Sequence, residues 1–132
     1  MTDKKRPPPW TDRENTACIA LYFTMLGHAT AGTDYVKADM IREANGQDKS
    51  GNIVNHAALL VARGRASIER KLMNCTAAHA ALTAQPDGTP TVKTMDGFGY
   101  RAAPNMQAAL KDAMRTALRH RRLSGANARV SA

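Results

Sequence analysis

The chain has few aromatic residues and only two cysteines. The first scarcity argues against a sheet protein, and the second argues against a disulfide-stabilised one. It contains one Trp, three Tyr and two Phe among 132 residues, and its apolar content comes mainly from Ala, Leu, Met and Ile. Such a composition favours helices over sheets. Cys18 and Cys75 lie far apart, without a C-x-x-C pair or a Cys/His spacing typical of zinc. We therefore expect two small buried hydrophobes, no disulfide framework and a reducing cytoplasm.

Signatures of catalysis and of membrane insertion are also missing from the sequence. There is no G-x-S-x-G nucleophile turn and no G-x-x-x-x-G-K-[ST] phosphate loop. The four dispersed histidines are His28, His56, His79 and His120, and none belongs to a metal-binding signature. His79 lies on the apolar side of its helix, which predicts a hydrogen-bonded core histidine. We expect no enzyme activity, no cofactor, no signal peptide and no membrane partner.

What the chain does have is positive charge. Lys and Arg number 19 against 11 acidic residues, so the formal net charge is +8, which attracts phosphate polymers at long range. Residues 1–9 form a basic arm that ends in three prolines, and its Lys4, Lys5 and Arg6 are free to touch a polyanion. A flexible, solubilising tail is the alternative interpretation of this arm.

The hydrophobic spacing predicts one mainly α domain, a small helical bundle, over residues 10–122. Thr11 and Glu14 form a capping box, and Trp10 stands where an apolar residue staples onto the helix. Helical patterns cover residues 11–27, 33–45, 53–62, 67–82 and 104–122, a short hairpin is expected over 86–100, and a disordered tail over 123–132.

The start of the helix over 67–82 carries the most informative cluster. Arg63, Arg65, Arg70, Lys71 and Asn74 are predicted to surround its first turn and outer face. Arg can fork onto phosphate or guanine, and Asn can pair with an adenine edge. The free N–H groups of a helix N-terminus also suit a phosphate. The cluster predicts a helix in the major groove of duplex DNA, and a solvated cationic face without a ligand is the alternative.

Two family resemblances point the same way. Trp10-Thr11-x-x-Glu14, with Gly64-Arg65-x-Ser67-Ile68 ahead of a helix, resembles a Myb/SANT-like three-helix module. This resemblance implies that Trp10 anchors the core and that the helix over 67–82 reads DNA. When Gly99-Tyr100-x-x-x-Pro104-Asn105 is added, the chain is similar to the N-terminal domain found ahead of HNH nuclease modules in bacterial restriction-type proteins.

The second resemblance implies DNA-associated work in a defence, phage or plasmid setting. The HNH motif is absent, so nuclease activity does not carry over. The resulting nucleic-acid-binding set is Arg63, Arg65, Ser67, Arg70, Lys71, Asn74, Tyr100, Arg101 and Asn105.

A protein-interaction module, such as a phage-encoded inhibitor or an assembly adaptor, is the other function that the sequence leaves open. The last helix is rich in Met and Ala, and its apolar face could pair with a protein partner or in a homodimer. The same face could instead simply close the core of the domain.

Overall fold

The computed structural model describes the backbone of residues 8–131 and the side chains as far as Arg122. Within this range the helices are α1 (Asp12–Ala31), α2 (Lys37–Asn45), α3 (Arg65–Thr83) and α4 (Ala108–Ser131). The prediction of a mainly helical bundle is confirmed. The predicted arm is described only from Pro8 onwards, and the side chains of the predicted tail over 123–132 lie outside the described residues.

Helix α1 begins where the sequence predicts. Thr11 is its N-cap, and the capping box is complete: Glu14 N–H donates to Thr11 Oγ1 at 3.1 Å, and Thr11 N–H donates to Glu14 Oε1 at 2.9 Å. The helix runs one turn beyond its predicted end at Gly27 and ends at Gly32, whose φ of 72° is the left-handed conformation that glycine favours.

Helices α1 and α3 run in the same direction, one beside the other. The Tyr22 hydroxyl lies 2.7 Å from His79 Nδ1, a pair separated by 57 residues in the chain. One turn earlier, Cys18 lies close enough to Cys75 to raise the pKa of its thiol, and another turn earlier Glu14 lies close enough to Lys71 for its charge to act on the pKa of the ammonium; both pairs have the same separation. Because residues four apart lie on one face of a helix, this constant offset aligns the two helices in parallel.

Helices α1 and α3 form the centre of the bundle, because each packs against the other and against both α2 and α4. Helix α4 contributes fully buried Leu110 and Met114 to the core. The Arg121 guanidinium lies 4.0 Å from the ring centroid of Phe23 in α1. The buried apolar residues belong to one cluster that joins all four helices. The two free cysteines, Cys18 and Cys75, are both fully buried in it, as predicted.

The predicted helix over 53–62 is wrong, since this segment forms turns between α2 and α3. The buried Asn45 side chain fixes these turns by donating to the carbonyls of Leu60 at 2.8 Å and Arg63 at 2.6 Å. Gly46 has a φ of 67°, and a Cβ there would lie 2.1 Å from the carbonyl oxygen of Asn55. The Asn55 carbonyl therefore packs directly against the Gly46 backbone, and any side chain at position 46 would collide with it.

The predicted hairpin over 86–100 is also wrong, because residues 8–131 contain no strand. The segment leads back along the bundle instead. The Thr91 hydroxyl donates to the Thr83 carbonyl at the end of α3, and Ala103 N–H donates to the Met73 carbonyl at 3.1 Å, midway along the same helix. Turns at Gly88, Gly97 and Gly99, all with positive φ, interrupt the extended backbone that a hairpin requires.

Candidate nucleic-acid interface

The structure divides the predicted nucleic-acid-binding residues into an exposed group and a buried group. The exposed group is Arg65, Ser67, Arg70, Arg101 and Asn105. The buried group is Arg63, Lys71, Asn74 and Tyr100. Only the first group has surface that a large ligand could contact directly.

Arg63 is buried and paired inside the protein, whereas the sequence pattern predicts a position on the outer surface beside the start of α3. Its Nε donates to Glu14 Oε2 at 2.8 Å and its Nη2 to Glu14 Oε1 at 2.7 Å, which is the two-pronged geometry of a strong ion pair. The same guanidinium donates to the carbonyls of Pro8 at 2.6 Å and Pro9 at 2.9 Å. Hydrogen bonding to Arg63 lowers the pKa of Glu14 to about 2, so this carboxylate stays charged.

Lys71 is buried against Trp10. The sequence pattern predicts a position on the outer face of the helix instead. Its Nζ lies 4.8 Å from the Trp10 ring centroid, and the Arg63 guanidinium lies 5.2 Å from the same ring. Burial lowers the pKa of the Lys71 ammonium. Trp10 is half-buried and packs against the core cluster, with two cations against its ring.

Asn74 holds the connection between α3 and α4, and Tyr100 is buried within that connection. Asn74 Nδ2 donates to the carbonyls of Ala103 at 2.6 Å and Asn105 at 3.1 Å, so both donors of this amide are used inside the protein. Lys37 Nζ lies 4.7 Å from the centre of the Tyr100 ring. Burial raises the pKa of Tyr100 to about 12. Both side chains are therefore buried, and neither lies on the open surface of the protein.

The exposed residues converge at the first turns of α3, and we call Gly64, Arg65, Ser67 and Arg70 the cationic end of α3. Gly64 is the N-cap, and no side chain among the described residues caps this helix. The N–H groups before Ile68 have no acceptor within the helix. Arg65 makes one long, exposed contact, 3.5 Å from Nε to Glu69 Oε1, which leaves its other donors to solvent.

Two further segments approach the same end. Arg63 fixes Pro8 and Pro9 beside the start of α3. Tyr100 lies close enough to Arg65 to interact with its charge, and exposed Arg101 follows it directly.

His79 is the core histidine that the sequence predicts. It is buried, and its Nδ1 pairs with the Tyr22 hydroxyl. Burial, together with the charge of Arg121, lowers the pKa of His79 to about 4. The ring is therefore neutral at pH 7. Among the described residues, no three His, Cys, Asp or Glu side chains are grouped so that they could hold a metal ion.

Sequence reasoning missed a groove of about 870 Å³ between α1 and α4, which we call the α1–α4 groove. Helix α1 contributes Asp12, Thr16, Ile19, Ala20, Phe23 and Thr24, and α4 contributes Ala109, Asp112, Ala113, Thr116, Ala117, His120 and Arg121. The spacing of apolar residues in the sequence predicts the apolar face of α4. On α1, however, the groove is lined by small residues four positions apart, Thr16, Ala20 and Thr24, and this pattern is equally typical of a helix face that contacts only solvent. The groove exists because the two helices lie side by side.

No helix in the described part of the chain is long and apolar enough to cross a membrane. Compared with known protein families, with curated proteins and with solved structures, the chain matches none of them.

Proposed function

We propose that this protein is a non-catalytic DNA-binding module that contacts the phosphate backbone through the cationic end of α3. The observation that carries the proposal is the exposure of Arg65, Ser67 and Arg70 around the uncapped N-terminus of a long helix. Phosphate binds well at such a terminus because free N–H groups and the helix dipole both favour negative charge. Arg101 adds a cation at the same end, and the net charge of +8 supplies long-range attraction.

The buried group limits how such a module could act. Lys71 and Asn74 are held inside the bundle, so α3 has little left with which to distinguish base pairs in the major groove. Contacts to phosphate position a protein on DNA without specifying sequence. We therefore expect duplex binding with a steep salt dependence and weak sequence preference. The resemblance to restriction-type proteins supports a phage, plasmid or defence setting.

A titration with a matched charge control tests the proposal. Fluorescence anisotropy with a labelled random-sequence duplex, and with a single strand, is measured at about 50 mM and about 200 mM salt. The test variant replaces Arg65, Arg70 and Arg101 by Ala. The control variant replaces Lys49, Lys93 and Arg119 by Ala, which are also exposed but lie outside the cationic end of α3.

Both variants remove the same charge, so only position distinguishes them. We expect the test variant to bind duplex at least about tenfold more weakly at low salt, with the salt slope reduced by about 0.9 for each phosphate that is no longer neutralised. The control variant should retain most of the affinity. Equal weakening in both variants, or no salt-dependent binding by the parent protein, would contradict the proposal.

A protein-interaction module is the second candidate function, and the α1–α4 groove is the observation that favours it. An apolar groove between two helices is a common acceptor for a third helix.

A further inference from the structure

We infer that the α1–α4 groove is the docking site for a second copy of this chain, which lies antiparallel in it and forms a twofold dimer. The inference depends on the groove alone and not on DNA binding, so either could fail without the other.

The residues that line the groove would accommodate a helix that presents small side chains. Ala20 on α1 and Ala113 and Ala117 on α4 are small, and Ile19 and Phe23 add apolar surface beside them. Small residues let helices approach to the short end of the usual interaxial range of about 8–10 Å. The opening of about 870 Å³ is too large for one or two side chains and matches the ridge of an approaching helix.

Charge determines which helix fits, because the two ends of the groove carry opposite signs. Asp12 and Asp112 line the end formed by the beginnings of α1 and α4, and His120 and Arg121 line the other end. Asp112 and Arg121 are nine positions apart, which corresponds to about 14 Å along the helix. Asp112 also pairs with Arg115, at 2.6 Å within α4, and both side chains are largely exposed.

A second copy turned by 180° satisfies this pattern. Antiparallel docking places α4 of each copy in the groove of the other, which brings the acidic end of each groove to the basic end of the other and packs the small residues of the two α4 helices together. A twofold interface uses the same patch on both subunits, so the patch must complement itself in this way. A helix from an unrelated protein would have to carry both the small central residues and the opposite charge order, whereas this chain already supplies them.

Sedimentation velocity over a concentration series tests the dimer with a matched pair of variants. The parent should sediment as a species of twice 14.3 kDa at high concentration and as the 14.3 kDa monomer on dilution. Ala20→Arg places a large charged side chain at an exposed position in the groove and should raise the dimer Kd at least about tenfold. Ala81→Arg makes the same change at an exposed position of α3 and should leave the Kd unchanged.

Charge exchange provides a second test that does not depend on steric disruption. Asp112→Arg and Arg121→Asp should each weaken the dimer, because each variant places like charges opposite one another, and the double variant should return most of the affinity. Thermal unfolding of each variant shows whether removing Arg121 from the Phe23 ring destabilises the monomer itself. A parent protein that stays monomeric up to about 100 μM, an equal effect of Ala81→Arg, or a double variant no tighter than the singles would overturn the inference.

Discussion

Arg63 and Arg65 are two positions apart and have the same side chain, yet they belong to different parts of the molecule. The Arg63 side chain is 6% exposed and bound to Glu14, whereas that of Arg65 is 56% exposed and makes one long contact. Lys71 and Arg70 repeat the contrast, with the lysine buried and the arginine exposed. A cationic stretch of sequence is therefore not a cationic surface.

The difference comes from what each position meets on α1. The pairs that align α1 with α3 include Glu14 and Lys71, and Arg63 lies just before α3, where the same carboxylate can reach it. A buried cation needs a partner because its desolvation is otherwise too costly. On the inner side of α3, Glu14 and the Trp10 ring stabilise the buried cations of Arg63 and Lys71. On the outer side, water solvates the exposed cations of Arg65 and Arg70.

The largest expected effect comes from removing a buried cation. Arg63→Ala should lower the free energy of unfolding by about 3–5 kcal/mol, because it leaves the Glu14 carboxylate buried without its main partner. Arg65→Ala, the matched control, should change it by less than about 0.5 kcal/mol, since an exposed ion pair contributes little. Urea denaturation measures the free energy of unfolding of both variants. A similar loss in both would show that the buried Arg63 stabilises the fold no more than the exposed Arg65 does.

The second largest expected effect is the pH dependence of stability that comes from the buried His79 in α3. The pKa of this histidine falls from 6.5 to about 4 on folding, so the unfolded chain binds more protons between these values. Its contribution to stability is complete above about pH 6.5 and is lost as the pH falls towards 4. Lowering the pH from about 7 to about 5 should therefore cost about 2 kcal/mol through this group alone.

His79→Gln should remove that part of the acid sensitivity, because glutamine cannot titrate but can still hydrogen-bond to the Tyr22 hydroxyl. His56→Gln, at an exposed position, should keep the pH profile of the parent. Denaturation curves at the two pH values give the comparison. If the His79 variant retains the full pH dependence, the ring is not held neutral as its burial requires.

The smallest expected effect concerns Lys71. Lys71→Met keeps the length of the side chain, removes a buried charge and should change the free energy of unfolding by less than about 1.5 kcal/mol. It should also leave duplex affinity unchanged. Arg70→Met, one position earlier and exposed, should weaken duplex binding several-fold because one phosphate is left without its cation. Weaker duplex binding by Lys71→Met instead would place this lysine at the DNA.

The sequence contains local signals that predict much of this fold. The Thr11–Glu14 capping box, the core position of His79, the two buried cysteines and four of the five helix patterns are confirmed. The helix over 53–62 and the hairpin over 86–100 are wrong, because long-range partners such as the Asn45 amide and the Met73 carbonyl decide the path of those segments. Which cations are buried could not be predicted, since it depends on the pairing of α1 with α3.

That pairing has a consequence for how the chain tolerates change in length. Three pairs of neighbouring residues, each 57 positions apart, link α1 to α3. Deleting a single residue between Glu14 and Tyr22 would turn the remainder of α1 by about 100°, so the pairs on one side of the deletion would no longer meet. We therefore expect the fold to tolerate insertions and deletions in the connections between helices and not within α1 or α3.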